Sequence, residues 1–70
     1  MKISARNVLN GKIVGIVRGP VTTEVTLEIA PGVQITSTIT SNSAQTLGLQ
    51  EGGVAYGVIK ASSVMIGVDD

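Results

Sequence analysis

The chain has 70 residues, a formal net charge of zero, and neither cysteine nor histidine. A domain of this size buries only ~60% of its unfolded surface, so disulfides, a metal or oligomerisation usually stabilise it. The missing cysteines and histidines exclude disulfides and the commonest zinc ligands, and the balanced charge argues against a nucleic-acid partner, which needs a basic face.

The hydrophobic residues are numerous but small. They make up 43% of the chain, are mostly valine and isoleucine, and include Tyr56 as the only aromatic residue. Much apolar surface with little bulk predicts a single domain, residues 1–70, that buries part of this surface against other copies of itself. No apolar run approaches the ~20 residues of a membrane span, and residues 1–2 lead directly into a strand pattern rather than a signal peptide. We therefore expect a cytoplasmic protein without a membrane partner.

The first part of the chain predicts three strands. Residues 1–9 are compatible with a short strand, and Asn10-Gly11 is a turn signal. Residues 12–18 carry apolar side chains on both faces, and Gly15 indicates a bulge or a close approach of two backbones. Residues 21–29 give the clearest pattern, since their apolar side chains alternate with threonine and glutamate.

The remaining strands follow turns. Pro31-Gly32 suits the centre of a tight turn, and residues 33–40 alternate as the second strand of a hairpin. Residues 54–59 and 63–68 are the last predicted strands, and residues 69–70 form a charged tail.

One helix is predicted between these strands, at residues 40–48. Thr40 or Ser41 is its candidate N-cap, and Gly48 suits the left-handed C′ position. Five or six short strands with a helix between the third and fourth are typical of the OB-type barrel. We therefore predict an all-β fold, a small OB-like Greek-key β-barrel with one short helix.

Two classes of function are disfavoured by the residues present. A serine or threonine nucleophile needs a base such as histidine or a buried lysine; Ser62 beside Lys60 nominally offers this pair, but the pattern supplies no substrate cleft. Nucleic-acid binding by an OB-type barrel uses aromatic platforms beside a basic groove, and one tyrosine with zero net charge meets neither condition. We expect neither an enzyme nor a nucleic-acid-binding protein.

Lys60 interrupts an apolar stretch and needs a physical reason to be there. One interpretation is that its stem lies on apolar surface while its ammonium group reaches water. The other is that this cation, beside the Ser62 hydroxyl and free backbone N–H groups, forms part of a pocket for a small anion.

Three clusters favour the anion pocket. Residues 4–7 offer a cation, a hydroxyl and an amide, and residues 60–62 offer a second cation and a second hydroxyl. The start of the predicted helix offers the Thr40 and Ser43 hydroxyls beside N–H groups that lack intrahelical partners. None of the three clusters includes a carboxylate. Together they provide the donors and the roughly two positive charges that a tetrahedral dianion requires.

The same motifs carry a family resemblance. Ser-Ala-Arg-Asn at residues 4–7, Gly-Lys-Ile-Val at residues 11–14, Ile-Thr-Ser in mid-chain and Lys-Ala-Ser-x-Val-Met at residues 60–65 together resemble the molbindins. These are free-standing, single-domain molybdate-binding proteins of the Mop/TOBE-like domain family. Similar domains are appended to molybdate-responsive transcription regulators and to the ATPase subunits of molybdate importers. The likeness covers essentially the whole chain.

This resemblance implies an OB-like barrel that assembles as a homohexamer, a trimer of dimers, with the N-terminal strand exchanged between subunits. Molybdate or tungstate would bind between subunits as a ligand rather than a cofactor, with no bare metal cation. One chain would provide Ser4, Ala5 and Arg6, and its neighbour would provide Thr40, Ser43, Lys60, Ala61 and Ser62. Arg6 and Lys60 would balance the charge of the anion.

The resemblance also implies a second type of site near the three-fold axes, for which the turn at residues 18–22 is the candidate. The 70 residues include no DNA-binding or ATPase segment, so the expected role is intracellular storage or buffering of the oxyanion. The alternative is a structural or interaction barrel whose oligomer binds no specific ligand.

Overall fold

The computed structural model describes residues 1–69 and contains one antiparallel sheet of four strands with a short helix. The elements in chain order are β1 (Asn7–Arg18), β2 (Thr22–Ala30), β3 (Val33–Thr40), α1 (Ser41–Thr46) and β4 (Val54–Ile59), followed by a 3-10 turn at Ala61–Ser63. The strand order across the sheet is β3-β2-β1-β4. Three consecutive strands and a fourth that returns beside the first make a Greek key, so the predicted all-β Greek-key fold is confirmed.

The long strand β1 pairs with two different neighbours. Its first half, which starts with Asn7 opposite Ile59, pairs with β4, and its second half pairs with β2. The register between β1 and β2 shifts between Ile13 and Gly15, which confirms the bulge predicted at Gly15. A bulge bends a strand and increases its twist, and this one helps β1 to curve between its two partners.

The turn predicted at Asn10-Gly11 is wrong, because both residues lie inside β1 and pair with β4. A Cβ atom on Gly11 would lie 3.0 Å from the carbonyl oxygen of Glu28 and 3.2 Å from the Cβ atom of Leu27. Glycine occupies this position because β1 and β2 approach closely there, and not because the chain reverses. The turn predicted between β2 and β3 is confirmed, with Gly32 at a φ of +76°.

A small apolar core lies on the concave face of the sheet. Ile13, Val25 and Leu27 form its buried centre, so the alternating pattern predicted for β2 is confirmed. The sheet is strongly curved: a Cβ atom on Gly57 of β4 would lie 2.6 Å from the Cδ1 atom of Ile35 on β3, although these strands are at opposite edges of the sheet. The molecule is therefore a half-barrel.

The helix α1 packs at one end of the half-barrel. The Thr40 hydroxyl accepts a hydrogen bond from the Ser43 N–H at 3.1 Å, which makes Thr40 rather than Ser41 the N-cap. Gly48 follows the helix with a φ of +64°, and the two backbone hydrogen bonds of a Schellman motif close the helix end. Ala44 is fully buried and anchors the helix to the sheet. No helix within residues 1–69 has the length and apolar character needed to cross a membrane.

The strand predicted at residues 1–9 is present only at residues 7–9, where β1 begins, and the strand predicted at residues 63–68 is not present in the described residues. Residues 1–6 and 63–68 lie outside the four strands. The physical reason is that β4 ends at Ile59, opposite Asn7, where the chain enters the 3-10 turn, so neither end segment forms ladder pairs with a strand of the described chain. The sheet therefore has four strands rather than five or six. Asp70, the second residue of the predicted charged tail, lies outside the described residues.

Candidate functional site

A cleft of about 480 Å³ opens where β1 begins and β4 ends. Six of the eight residues predicted to bind an oxyanion line it together with Ile3, and these six are Ser4, Ala5, Arg6, Lys60, Ala61 and Ser62. The pairing of β1 with β4 explains this arrangement. Asn7 lies opposite Ile59, so the residues just outside that pair are brought side by side.

The lining of the cleft is cationic and rich in hydrogen-bond donors. Arg6 and Lys60 provide two positive charges, Ser4 and Ser62 provide hydroxyl groups, and no lining residue among those described carries a carboxylate. Both cationic side chains are exposed, so water hydrates their charges in a single chain. Two cations with hydroxyl and backbone donors suit a small anion that carries two negative charges.

The 3-10 turn adds backbone donors to this cleft. The Ser63 N–H donates to the Lys60 carbonyl oxygen at 2.8 Å, and the Val64 N–H donates to the Ala61 carbonyl oxygen at 3.3 Å. The N–H groups of Ala61 and Ser62 come first in the turn and have no acceptor within it. Both residues line the cleft, beside the two cations.

Thr40 and Ser43, the other two predicted residues, lie at the opposite end of the sheet. Thr40 pairs with Thr22 at the start of β2, and the next residue of β2 pairs with Arg18 at the end of β1. The 12 residues of β1 separate this end from the cleft by on the order of 40 Å along the strand. The Thr40 hydroxyl donates to the Ser43 hydroxyl at 2.7 Å. One chain therefore brings six of the predicted residues together and keeps these two apart from them.

The resemblance assigns residues 4–6 and residues 60–62 to different copies, whereas here both segments line the cleft of one chain. Ile3 lines this cleft as an apolar member that no sequence motif identifies. Its only sequence signal is the alternation of residues 1–9, which indicates a strand and carries no information about a site.

The turn at residues 18–22 is tied to α1 and to the segment that follows this helix. The Arg18 guanidinium donates to the Leu49 carbonyl oxygen at 2.9 Å. The Ser41 hydroxyl donates to the Gly19 carbonyl oxygen at 2.6 Å and lies 2.8 Å from the hydroxyl of buried Thr23. These contacts give Ser41 and Arg18 a structural role, and the second oxyanion site at this turn stays a prediction.

A second concavity, of about 610 Å³, occupies the open side of the half-barrel. Its lining is mostly apolar and includes Val25, Leu27, Ile35, Leu49 and Tyr56. The segment after the 3-10 turn also exposes large apolar side chains, with Met65 92% and Ile66 89% exposed. Large exposed apolar patches are typical of surfaces that bind other molecules.

Comparison with known proteins identifies the family. Residues 3–66 match the TOBE domain. Molybdenum-pterin-binding protein 1 of Clostridium pasteurianum is 53% identical over 66 residues, which make up 94% of this chain and 97% of that protein.

Two solved structures share the fold. MopII from Clostridium pasteurianum superposes with a TM-score of 0.90 at 51% identity, over 96% of this chain and 100% of that one. The cytoplasmic molybdate-binding protein ModG, solved with molybdate bound, superposes with a TM-score of 0.92 at 45% identity, over 99% of this chain and 49% of that one. The OB-like fold class and the family predicted from the sequence are both confirmed. The chain belongs to the TOBE domain family, and it is similar over nearly its whole length to the molybdenum-pterin-binding proteins of that family.

Proposed function

We propose that this chain binds molybdate or tungstate reversibly as a homo-oligomer and thereby stores or buffers the oxyanion. The observation that carries the proposal is the cleft in which Arg6 and Lys60 lie beside Ser4 and Ser62, with no carboxylate among the described lining residues. Relatives named molybdenum-pterin-binding proteins, and a structural neighbour with molybdate bound, support the same class of ligand.

The charge of the ligand sets the role of each residue in this proposal. Arg6 and Lys60 compensate the two negative charges, since charge-assisted hydrogen bonds are roughly twice as strong as neutral ones. The hydroxyls of Ser4 and Ser62 and the backbone N–H groups of Ala5 and Ala61 donate to the anion oxygens. A tetrahedral ion accepts hydrogen bonds at every oxygen, so this mixture of donors leaves few oxygens of the ion without a partner.

A second copy of the chain completes the site. Ser4, Arg6 and residues 60–62 are all exposed in one chain, so the cleft of one chain is open and does not enclose an ion by itself. Thr40 and Ser43 lie at the far end of the same chain, so a neighbouring chain has to supply their hydroxyls.

Exchange of the N-terminal segment between copies is compatible with the contact inside one chain. An exchanged element keeps its contacts and changes only the chain that supplies it. Residues 1–6, which lie outside the sheet, are the segment we assign to this exchange. Residues 4–6 of one copy would then lie against residues 60–62 of the next, as the family resemblance implies.

The proposed assembly is a homohexamer, a trimer of dimers, as the family resemblance implies, and the apolar surfaces support association between copies. The domain of residues 1–70 has only a small buried centre of Ile13, Val25 and Leu27, while the concave face of the half-barrel and the segment around Met65 expose apolar side chains. Burial of these surfaces between copies would supply the stability that a small core lacks.

The biological role that we assign is binding without catalysis, in the cytoplasm. The relatives are binding proteins by name, and ModG is described as cytoplasmic. The cleft offers donors and positive charge, which hold an anion. Nucleic acid and membrane are not among the partners that we propose.

Equilibrium dialysis against sodium molybdate at physiological salt tests this function. We expect saturable binding that sulfate at the same concentration does not displace. Sulfate has the same charge and shape but is smaller, so it leaves donors without partners, and each buried unpaired donor costs about 1–3 kcal/mol. Equal competition by sulfate would reduce the site to a generic cationic patch, and no binding would leave an interaction barrel without a specific ligand.

A further inference from the structure

We infer that Asn7 is a positioning residue of the oxyanion cleft: its side-chain amide fixes the points at which the two anion-binding segments leave the sheet. The inference rests on the proposed function, because it concerns how Arg6 and Lys60 are oriented toward the oxyanion. Asn7 does not line the cleft and is not assigned a direct contact with the ligand.

The geometry that supports this inference lies at the junction of β1 and β4. Asn7 is the first residue of β1, Ile59 is the last residue of β4, and the two are directly opposite each other. The Nδ2 atom of Asn7 donates a hydrogen bond to the Ile59 carbonyl oxygen at 3.3 Å. Arg6 precedes this pair along one strand and Lys60 follows it along the other, so each cation is one residue away from the bond.

The bond lies where it can control the spacing of the two segments that line the cleft. Beyond the pair of Asn7 and Ile59, the described residues form no further β1–β4 pairs, so the strand ladder no longer fixes the spacing of the two segments. Lys60 begins the 3-10 turn as its N-cap, without a side-chain hydrogen bond of its own to the turn. The Asn7 amide therefore adds a side-chain hydrogen bond to the peptide between Ile59 and Lys60, from which the turn starts.

This hydrogen bond acts in the same place if residues 1–6 are exchanged between copies. Asn7 is then the residue from which the exchanged segment departs, and Ile59 is the residue from which the segment of Lys60 departs. Because both segments are already ordered before binding, the entropic cost of ordering them when the anion binds is smaller. Residues 4–6 and residues 60–62 of one chain then reach different oxyanion sites, so the bond fixes the starting point of one donor segment at each site and keeps that segment at a spacing that suits one size of anion.

A matched pair of variants separates positioning from general stability. Asn7→Ala removes the amide, and Asn10→Ala makes the same change three residues along the same strand. The exposed Asn10 side chain makes no hydrogen bond within the described residues. Isothermal titration with sodium molybdate measures the Kd of each folded variant. Titration with sodium sulfate gives the preference for the larger anion, and thermal unfolding without ligand gives stability.

We expect Asn7→Ala to weaken molybdate binding about tenfold, or ~1.4 kcal/mol, and to narrow the preference over sulfate. Asn10→Ala should keep the wild-type Kd. Asn7→Gln and Asn7→Ser, which retain a donor, should recover part of the affinity in at least one case. If Asn7→Ala does not fold, Asn7→Leu, which has the same number and branching of side-chain heavy atoms but no donor, takes its place.

Three results would overturn the inference while wild type still binds molybdate. These are an unchanged Kd and preference in Asn7→Ala, an equal loss in Asn10→Ala, and a loss that neither donor variant recovers. A lower unfolding temperature with an unchanged Kd would likewise make Asn7 a purely structural residue. Wild type that binds no molybdate would instead contradict the proposed function, so the two failures are distinguishable.

Discussion

At the scale of the residue, Lys60 poses the sharpest question of the structure. It is exposed, it follows the last residue of β4, and it shares a cleft with Arg6. If its ammonium group only reaches for water from an apolar surface, its charge has no role in binding. If it contacts the oxyanion between two copies, its removal leaves a dianion with one compensating charge, which is costly in a desolvated site.

We therefore predict that Lys60→Met lowers molybdate affinity tenfold or more while the protein stays folded, because methionine keeps the apolar stem and removes the charge. Wild type should gain ~2.7 kcal/mol of stability at a hundredfold excess of molybdate over Kd. Lys60→Met should lose most of that gain in thermal unfolding.

Lys12→Met is the matched control, since Lys12 is also exposed but lies in β1, outside the cleft. It should keep the full stabilisation by molybdate. Arg6→Met should behave like Lys60→Met and also weaken assembly, because Arg6 lies on the segment assigned to exchange. If Lys60→Met keeps the full stabilisation by molybdate, Lys60 is a surface lysine whose charge has no role in binding.

At the scale of the element, β1 controls the shape of the molecule. It pairs with β4 along its first half and with β2 along its second, and the part that pairs with β2 carries a bulge between Ile13 and Gly15. Gly11 permits the close approach of β1 and β2, because neighbouring atoms of β2 already occupy the space of a side chain. The two glycines of β1 therefore have different functions.

We predict that Gly11→Ala destabilises the protein by about 1–3 kcal/mol, as expected for an added methyl group in a packed region. Gly15→Ala is the matched control, because its Cβ atom would lie 3.7 Å from the Cβ atom of Thr26, an ordinary contact. Gly15→Ala should change stability by less than about 0.5 kcal/mol. Denaturant unfolding measures both variants, and equal effects would contradict the close approach at Gly11.

The elements that the sequence could predict are those whose pattern is local. β2 and β3 alternate apolar and polar side chains, and the cap at Thr40 and the stop at Gly48 are local signals, so all four were predictable. Gly11 was wrongly predicted to lie in a turn. Glycine is favoured both in turns and where two strands approach closely, and only the tertiary structure distinguishes the two cases.

The same distinction between local patterns and tertiary contacts applies to the predicted site. Residues 4–6 and 60–62 were predictable as a cluster because their charges and hydroxyls recur in two short motifs, and the β1–β4 pairing brings them together. Ile3 was not predictable, since an apolar residue in an alternating segment carries no signal of a ligand. The proposed placement of Thr40 and Ser43 beside the other six would require contacts between copies, and no local sequence pattern contains such contacts.

At the scale of the whole molecule, the half-barrel leaves apolar surface open on its concave face and along the segment after the 3-10 turn. The buried centre is small for a chain that is 43% hydrophobic. This imbalance favours a protein whose stability depends on its assembly.

We predict that sedimentation at micromolar concentration finds six chains and no folded monomer. Met65→Asp should weaken the assembly, because it puts a charge on a residue that is 92% exposed in one chain and that we expect to be covered between copies. Asp69→Asn, a charge change in the same segment, is the control and should leave the assembly intact. A stable, folded wild-type monomer would contradict both the assembly and a site completed by a second copy.

The central claim is that one oxyanion is held between copies by Arg6 and Lys60, and a crystal grown with sodium tungstate tests it most directly. The anomalous signal of tungsten locates the ion independently of any interpretation of the protein density. We predict a peak in the cleft within hydrogen-bonding reach of both cationic side chains, with the Thr40 or Ser43 hydroxyl of a neighbouring chain completing the shell. Tungstate bound elsewhere, or in this cleft without a second chain, would contradict the account.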